Sequence, residues 1–362
     1  MINTTYSNAS LTINLTALKK NYFSLSKKLS SAELAAVVKA NAYGLGINQV
    51  AILLSRLGCV KFFVATLDEG IELRHILPNA KIFVFHGAPS GAEKEFVANS
   101  LIPIINTIKQ LENWLPHSEH SAALHIDTGM SRLGLTPDEC NQVEYWHAFN
   151  IELTISHLSC ADNTEHPKNT EQIKLFKKLL QSIPTKYASL AASSGIFLGQ
   201  DYHFDLCRAG VALYGINPTP FNANPLEQVV RLQARIIQIR YVDTPQTVGY
   251  GATYTVKARS KIATIAIGYA DGYMRSLGNS GIAFIGDYKV PVVGRISMDL
   301  TTVDVTSVPD HILSQEIAVD LIGPNNPIDQ IATQAGSISY ELLTGLGSRV
   351  DRKYLLEEDQ IK

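Results

Sequence analysis

The strongest indication of the fold lies in residues 34–46, where five apolar residues precede a lysine and a turn: Leu34-Ala35-Ala36-Val37-Val38-Lys39-Ala40-Asn41-Ala42-Tyr43-Gly44-Leu45-Gly46. A run of five small or branched apolar residues predicts a fully buried strand. The asparagine and the two glycines that follow predict a tight turn at its carboxyl end. A lysine at such a strand end is partly desolvated, which lowers its pKa and lets its amine act as a nucleophile or a base. The alternative is a solvent-facing lysine that closes off a hydrophobic strand.

Similar apolar runs recur along residues 34–214, with helix-like segments between them. The predicted strands are Leu34–Val38, Phe62–Ala65, Ile82–Phe85, Ile102–Ile105, Ala122–Ile126, Ile151–Ile155, Ala188–Ala192 and Val211–Tyr214. Asn48–Gly58 and Asn169–Ile183 are amphipathic segments between them. Eight alternations of buried strand and helix predict a closed (β/α)8 barrel of the TIM type. An open doubly wound sheet is the alternative, but Gly44-Leu45-Gly46 does not complete the Gly-x-Gly-x-x-Gly pattern usual in that fold.

The pattern changes after residues 222–227. From Val230 onward apolar residues alternate with polar ones, which is typical of a half-buried strand. Further β-like runs are Lys261–Ile267, Ile282–Ile285, Val290–Val293, Thr301–Val305 and Glu316–Ile322, and a helix-like segment, Ser339–Leu346, precedes a charged tail. We therefore expect the barrel in residues 10–226 and a second, mostly β domain in residues 227–362, with residues 1–9 as a candidate addition to it.

Composition excludes several classes of function. The chain has 362 residues, 46% apolar and 18% charged, as in an ordinary globular protein. Its formal net charge of -2 offers no basic surface for nucleic acid or anionic membranes. No apolar run approaches the ~20 residues that span a bilayer. The 4 cysteines form no Cys-x-x-Cys pair and no signal-like segment opens the chain, so we expect reduced thiols, no metal and a cytoplasmic protein.

Polar residues collect where the predicted barrel strands end, which is where such barrels build their active sites. Lys39 ends the first strand. The fifth, sixth and seventh run into Asp127-Thr128-Gly129-Met130-Ser131-Arg132-Leu133-Gly134, His157-Leu158-Ser159-Cys160-Ala161-Asp162 and Ser193-Ser194-Gly195, and the eighth is introduced by Arg208-Ala209-Gly210-Val211.

Phosphate commonly binds after strands seven and eight of these barrels. The short turn at Ser193 is suited to presenting backbone N–H groups to an anion. A lysine facing a phosphate site at a barrel mouth indicates pyridoxal phosphate held as a Schiff base. Each residue alone has an ordinary structural interpretation, such as a hydrogen-bonded His157 or a surface Arg132. The prediction depends on their joint placement.

These segments resemble those of the alanine racemases. Residues 36–46 are similar to the pyridoxal phosphate attachment signature of that family. The likeness continues through residues 127–134, 157–162, 208–215, 249–254, 267–272, 293–299 and 339–341, and so covers nearly the whole chain in collinear order. The resemblance implies a pyridoxal-phosphate-dependent isomerase that interconverts L-alanine and D-alanine, supplies D-alanine for peptidoglycan, and works as a homodimer.

Two bases on opposite faces of the substrate are implied in the same way. Lys39 carries the cofactor and acts on the D-alanine side, while Tyr250 acts on the L-alanine side. In the family, Tyr250 and Met298 reach the site from the other subunit of a head-to-tail dimer. His157 helps bring Tyr250, whose unperturbed pKa is ~10, into a useful range.

Binding roles follow from the same resemblance. The residues that hold the cofactor phosphate are Tyr43, Ser193, Gly210, Val211 and Tyr340. Arg132 binds the substrate carboxylate with help from the backbone of Met298. Arg208 faces the pyridine nitrogen, and because a guanidinium keeps its proton, it leaves that nitrogen unprotonated and disfavours transamination.

One position departs from the family pattern. Many members carry a lysine, modified to a carbamate, two residues before the aspartate of the fifth-strand motif, and this chain has His125 there. A histidine cannot supply the negative charge that the carbamate sets beside Arg132. Dependence on bicarbonate through this residue is therefore not expected.

Three alternatives remain. A serine or broad-specificity racemase would be separated by assaying a panel of amino acids. A decarboxylase of the same domain plan usually sets an acidic group against the pyridine nitrogen, which Arg208 disfavours. A non-catalytic pyridoxal-phosphate-binding protein is a lone barrel, and a second domain containing Tyr250 and Met298 disfavours that class.

Overall fold

The computed structural model describes residues 7–313 and 317–356, which form two compact units. The barrel unit comprises Leu18–Glu227, and the β unit comprises the described residues up to Ala17 together with those from Gln228 onward. Glu316, predicted to begin a strand, and the charged tail after residue 356 lie outside the described residues. Within the described ranges no helix has both the length and the apolar character needed to cross a membrane.

The first part of the chain alternates strands and helices. The strands are β1 Ala9–Asn14, β2 Glu33–Val37, β3 Lys61–Val64, β4 Lys81–Val84, β5 Leu101–Ile105, β6 Ser121–His125, β7 Asn150–Ile155, β8 Tyr187–Ser189 and β9 Leu206–Ala209. The helices are α1 Leu15–Ser26, α2 Lys39–Tyr43, α3 Ile47–Arg56, α4 Leu67–Ile76, α5 Glu93–Ala98, α6 Ile108–Trp114, α7 Pro137–Gln142 and α8 Pro167–Leu179.

Strands β2–β9 of the barrel unit form one parallel sheet in the order β8-β7-β6-β5-β4-β3-β2-β9. A parallel bridge between Ala192 and Arg208 brings its two outer strands together, so the sheet is a nearly closed barrel. Its interior is filled by apolar side chains from successive strands, including Phe63 and Phe83, whose rings stack 4.7 Å apart. The predicted barrel fold is confirmed, and the first seven predicted strands match β2–β8.

The eighth predicted strand, Val211–Tyr214, is wrong. The strand is β9, Leu206–Ala209, so Arg208 lies inside it rather than before it, and residues 211–214 form the turn that follows. An arginine in a buried strand interrupts the apolar run that marks such strands in a sequence. The apolar residues of the turn gave a stronger pattern because they are buried as well.

The β unit contains the rest of the strands and two helices. Its elements are β10 Val230–Val242, β11 Thr247–Val248, β12 Tyr254–Thr255, β13 Ser260–Ile265, β14 Ile282–Ile285, β15 Tyr288–Pro291, β16 Thr301–Asp304, β17 Ala318–Ile322, α9 Ile328–Ala335, α10 Ser339–Gly345 and β18 Asp351–Leu355. Strands β15-β14-β17-β10-β1-β18 lie side by side, and β13 joins β10 to β16.

Strand β1 belongs to this second sheet. It pairs antiparallel with β10, where Ala9 faces Ala234, and parallel with β18, where Ser10 faces Asp351. The predicted start of the barrel domain at residue 10 falls inside this strand. The mostly β character of the second domain is confirmed.

Candidate active site

Lys39 begins a left-handed turn at the carboxyl end of β2. The four residues that follow it, Ala40 to Tyr43, have φ angles between 52 and 56°. Backbone in this region costs about 1–2 kcal/mol per residue with a side chain, so neighbouring groups must hold it. The N–H of Gly44 donates to the carbonyl of Ala40 at 2.8 Å, and the Asn41 side chain accepts from the N–H of Ile47 at 2.7 Å. The predicted tight turn is confirmed.

The amine of Lys39 lies in a partly desolvated position. Burial lowers its pKa first, the positive charge of Arg132 lowers it further, and the carboxylate of Glu69 opposes both. Its Nζ lies 5.5 Å from the centre of the Phe85 ring. A lowered pKa increases the neutral fraction of the amine, which is the form that attacks a carbonyl or accepts a proton.

Arg208 is buried in the barrel and is bonded to backbone carbonyls. Its Nη1 donates to the carbonyl of Ser189 at 2.8 Å, and its Nη2 donates to the carbonyl of Ser156 at 2.6 Å. Burial lowers its pKa to about 10, so it remains a cation at neutral pH. Among the residues that the structure describes, no carboxylate forms an ion pair with it, so its charge is uncompensated by the protein.

Two histidines near this cation are neutral at physiological pH. His157 has its Nδ1 3.5 Å from Nη2 of Arg208, and burial followed by that cation lowers its pKa to about 3. Burial and Arg208, in that order, lower the pKa of His125 to about 4. Arg132 lowers both values further. The histidines are therefore uncharged, and the positive charge at the carboxyl ends of the strands comes from Arg208 and Arg132. We call this region the positive site.

The tautomer of His125 follows from its neighbour Asn106. The amide nitrogen of Asn106 donates to the carbonyls of Phe85 and Ile104, at 2.9 and 2.7 Å. Its Oδ1 therefore faces Nδ1 of His125, 2.9 Å away, and Nδ1 must carry the hydrogen. The other nitrogen of this neutral ring, Nε2, is consequently a hydrogen-bond acceptor.

Asp127 fixes the loop that carries Arg132. Its Oδ1 accepts from the backbone N–H groups of residues 129, 130 and 131, at 2.9, 2.9 and 3.1 Å. Burial alone would raise the pKa of this carboxyl group, but the three donors bring it below its ordinary value. Arg132 itself is exposed, so its guanidinium is available to an anionic ligand.

Tyr43, Ser193 and Gly210 lie close together after β8 and β9. The Oγ of Ser193 accepts from the N–H groups of Gly210 and Ala212, at 3.0 and 3.2 Å. A Cβ added at Gly210 would lie 2.5 Å from Oη of Tyr43, so glycine allows the tyrosine hydroxyl to approach the backbone closely. The Ser193 hydroxyl accepts in both contacts and can still donate its own hydrogen, so this hydroxyl after the seventh barrel strand, with that of Tyr43 nearby, suits a phosphate. Val211, the other predicted residue here, is buried in the same turn.

The remaining predicted residues belong to the β unit. Tyr250 is 72% exposed and stands in a short turn between Gly249 and Gly251, which have φ angles of 75 and 72°. Met298 is 54% exposed, and its carbonyl accepts from the N–H of Ala270 at 2.9 Å. Tyr340 is the second residue of α10 and is 37% exposed. All three side chains are thus accessible on this unit.

Sequence reasoning missed Glu69 and Asn106. Glu69 is three residues after Thr66, a pattern that marks a helix start and could have drawn attention to it. Asn106 had no comparable signal, because its role depends on the fold that brings it beside His125. No cluster of three or more His, Cys, Asp or Glu side chains suited to a metal ion occurs in residues 7–313 and 317–356.

Comparison with known families gives two matches that cover most of the chain. The family described as alanine racemase, N-terminal domain, matches residues 13–218. The family described as alanine racemase, C-terminal domain, matches residues 229–354.

Individual relatives agree with these matches. An alanine racemase of Rhodospirillum rubrum is 47% identical over 357 residues, which are 96% of this chain and 96% of the relative. A biosynthetic alanine racemase of Agrobacterium fabrum is 43% identical over 368 residues, 96% of this chain and 94% of the relative. The crystal structure of alanine racemase from Bartonella henselae with covalently bound pyridoxal phosphate superimposes with a TM-score of 0.93 at 38% identity, covering 96% of this chain and 100% of that one.

Proposed function

The chain belongs to the alanine racemase family, and on that premise we propose which of its residues carry the reaction. The protein is an isomerase that uses pyridoxal phosphate to interconvert L-alanine and D-alanine, and the general role of this activity is to supply D-alanine for peptidoglycan. One observation carries the residue assignment: the half-buried Lys39, with its lowered pKa, stands in the positive site at the carboxyl ends of the barrel strands.

Lys39 holds the cofactor covalently, and Tyr43, Ser193, Gly210, Val211 and Tyr340 hold its phosphate. The close approach of the Tyr43 and Ser193 hydroxyl groups to Gly210 supports this assignment. When bound, pyridoxal phosphate withdraws electrons from the α-carbon of the amino acid and makes the proton on that carbon acidic.

Proton transfer at the α-carbon is divided between two residues. Lys39 takes the proton from, or returns it to, the face used by D-alanine, and Tyr250 does so on the face used by L-alanine. The lowered pKa of Lys39 supports its role as a base, since a larger fraction of its amine is unprotonated near neutral pH. The exposed hydroxyl end of Tyr250 supports its access to a ligand.

Arg208 faces the pyridine nitrogen. Its carbonyl partners anchor it in the barrel, and its uncompensated charge opposes protonation of a nitrogen placed next to it. His157, neutral beside this cation, accepts from Nη2 of Arg208 through Nδ1, so its Nε2–H can donate a hydrogen bond that stabilises deprotonated Tyr250. An unprotonated pyridine nitrogen draws less charge into the ring, which favours return of the proton to the α-carbon.

Arg132 binds the carboxylate of alanine, assisted by the backbone of Met298. The loop held by Asp127 supports this role, because it fixes the residues just before the arginine. A guanidinium binds a carboxylate through two parallel hydrogen bonds, which also orients the α-carbon.

We further propose a homodimer in which Tyr250 and Met298 serve the site of the partner subunit. Their exposure, 72 and 54%, supports contact with another surface. We also place the enzyme in the cytoplasm, because its four cysteines are free thiols and suit a reducing compartment.

Purified protein given L-alanine should form D-alanine and show the visible absorbance of the bound cofactor. Assays with serine and other small amino acids define its preference. Lys39→Ala should abolish both covalent attachment and racemisation, and borohydride should fix the cofactor on a peptide that contains Lys39. Attachment to any other lysine would overturn the assignment.

Mixing two inactive variants tests the shared site. A dimer of one Lys39→Ala chain and one Tyr250→Phe chain has one site with both bases intact only if the two residues come from different subunits. Activity recovered on mixing supports the shared site, whereas inactive mixed dimers would show that each subunit supplies both bases to itself.

A further inference from the structure

The side chain of Glu69 joins the ends of two neighbouring barrel strands. Its Oε1 accepts from the N–H of Ala40, and its Oε2 accepts from the N–H of Ala65, both at 2.7 Å. Ala40 follows Lys39 after β2, whereas Ala65 follows β3. One carboxylate therefore ties the first residue of the left-handed turn to the adjacent strand.

Capping of α4 does not account for this arrangement. Thr66 caps that helix and accepts from the N–H of Glu69 at 3.3 Å, while the return contact from the N–H of Thr66 to Glu69 is 3.4 Å long. The two contacts of Glu69 with Ala40 and Ala65 are 0.7 Å shorter than that return contact (3.4 − 2.7 Å). The carboxylate is thus engaged mainly with the strand ends.

The turn itself needs such a partner. The carbonyl of Val38 accepts from the N–H of Ala42 and the carbonyl of Ala40 accepts from the N–H of Gly44, and neither bond uses the N–H of Ala40. Four consecutive side-chain-bearing residues with positive φ are strained, and an alternative right-handed path would move the Lys39 amine. A charged acceptor on the first N–H of the turn opposes that change.

We propose that Glu69 is a positioning residue that holds the left-handed turn after β2 and thereby fixes the direction in which Lys39 presents its amine. The proposal rests on the proposed role of Lys39 as cofactor-binding residue and base. Glu69 acts through the backbone of Ala40.

Charge gives Glu69 a second effect on the same lysine. The charged groups that face Lys39 are Arg132, which disfavours its protonation, and Glu69, which favours it. His157 also faces it and is neutral. Removing the carboxylate therefore leaves Arg132 as the charged group facing Lys39, and the pKa of Lys39 should fall further.

Hydrogen exchange in the cofactor-loaded, full-length protein tests the proposal. Glu69→Gln should speed exchange of the amides in residues 39–46 by roughly 10- to 100-fold, because a hydrogen bond to a charged acceptor is lost. The side-chain amide of glutamine has only one oxygen, so its N–H group would face one of the two backbone donors. Asp68→Asn, which removes an equal charge from the neighbouring exposed position, should leave this exchange unchanged. Thr66→Ala should speed exchange in the first turn of α4 but not in residues 39–46.

Kinetics supply a readout that a loss of general stability would not give. Glu69→Gln should lower kcat about tenfold or more while the KM for alanine changes less than threefold, because the Arg132 loop is untouched. Glu69→Asp keeps the charge but is one methylene too short to reach both N–H groups, so it should show part of the same effects. It also replaces Glu69→Gln if that variant does not fold.

Exchange in residues 39–46 that is no faster in Glu69→Gln and Glu69→Asp than in Asp68→Asn would overturn the proposal. Equal responses of Thr66→Ala and Glu69→Gln in that segment would also overturn it, since helix capping would then suffice. Hydrogen exchange does not require racemisation. A wild-type protein that makes no D-alanine would therefore refute the proposed function while leaving the role of Glu69 to be decided by exchange.

Discussion

Replacing Arg208 by glutamine separates the charge of the barrel cation from its hydrogen bonds. The amide nitrogen of glutamine can donate to the carbonyls of Ser189 and Ser156, which the guanidinium contacts at 2.8 and 2.6 Å. The positive charge, however, is lost. We expect the pKa of His157, which burial and Arg208 hold at about 3, to rise.

The distance between the two groups sets the size of this change. Two unit charges 3.5 Å apart interact by about 5 kcal/mol at an effective dielectric constant of 20, equivalent to roughly three pKa units as an upper bound. Burial remains the first cause of the lowered value and persists in the variant. The pKa of His157 should therefore rise to between roughly 4 and 6, still below the ordinary value of about 6.5.

Histidine-selective NMR over pH 3.5–7.5 measures this pKa directly. Arg74→Gln is the matched control, because Arg74 also donates only to backbone carbonyls in the barrel unit, for example those of Asn99 and Ala80 at 3.0 and 2.8 Å. That variant should leave His157 unchanged. If Arg208→Gln also leaves it unchanged in folded protein, then Arg208 does not control the protonation of the site.

Stability should follow the same titration. His157 and His125 have lowered pKa values in the folded protein, so the unfolded chain binds more protons than the folded one below pH ~6.5. Their contribution to stability is present above that pH and is lost as pH falls toward 4 and then 3. Two protons correspond to a slope of up to about 2.7 kcal/mol per pH unit. Urea unfolding at pH 6.5, 5.5 and 4.5 should show a shallower slope for Arg208→Gln than for wild type.

Three further changes test other parts of the site. Tyr250→Phe should preserve single-turnover α-deuterium exchange with D-alanine and sharply reduce it with L-alanine, and equal losses would remove Tyr250 from its role as a base. Gly210→Ala should weaken cofactor binding at least about tenfold in an absorbance titration, because the new carbon would lie 2.5 Å from Oη of Tyr43. The control variant Gly345→Ala, which has no atom within 4 Å of the new carbon, should bind the cofactor normally. Asp127→Ala should raise the KM for alanine by roughly 10- to 100-fold with a smaller effect on kcat, since three hydrogen bonds that fix the carboxylate-binding loop are lost; an unchanged KM would contradict that role.

Seven barrel strands could be predicted because each is buried on both faces and so appears as a continuous apolar run. The eighth, β9, could not, because it contains Arg208, which is accommodated by the carbonyl and hydroxyl of Ser189 in β8 and by the carbonyl of Ser156 just after β7. Those acceptors are distant from Arg208 in the sequence, so no local sequence pattern predicts them. Placement of β1 in the second sheet depends in the same way on pairing with β10 and β18.

The site was predictable to the extent that its residues follow strand ends. The tight turn after Val38 followed from its asparagine and glycines, but its hand did not, because Ala40, Asn41, Ala42 and Tyr43 carry no glycine among them. Left-handed backbone there depends on groups such as Glu69, which approaches from the first turn of α4. The neutral state of His125 likewise depends on burial in the folded barrel, which no local sequence pattern reports.

Strand β1 also imposes an order on how the protein is made. Ala9 to Asn14 leave the ribosome before every other strand described, yet Ser10 pairs with Asp351, which is synthesised much later. At the usual 5–20 residues per second, the strand waits roughly 20–70 s for that neighbour. Its other neighbour, β10, emerges earlier, but until Asp351 follows, β1 and its apolar residues Ala9, Leu11 and Ile13 form an edge that lacks one of its two neighbouring strands. The barrel, in contrast, has all its strands once Ala209 has emerged. The nascent chain can therefore hold a complete barrel while β1, which belongs to the other sheet, still depends on a chaperone or on transient contacts to avoid aggregation.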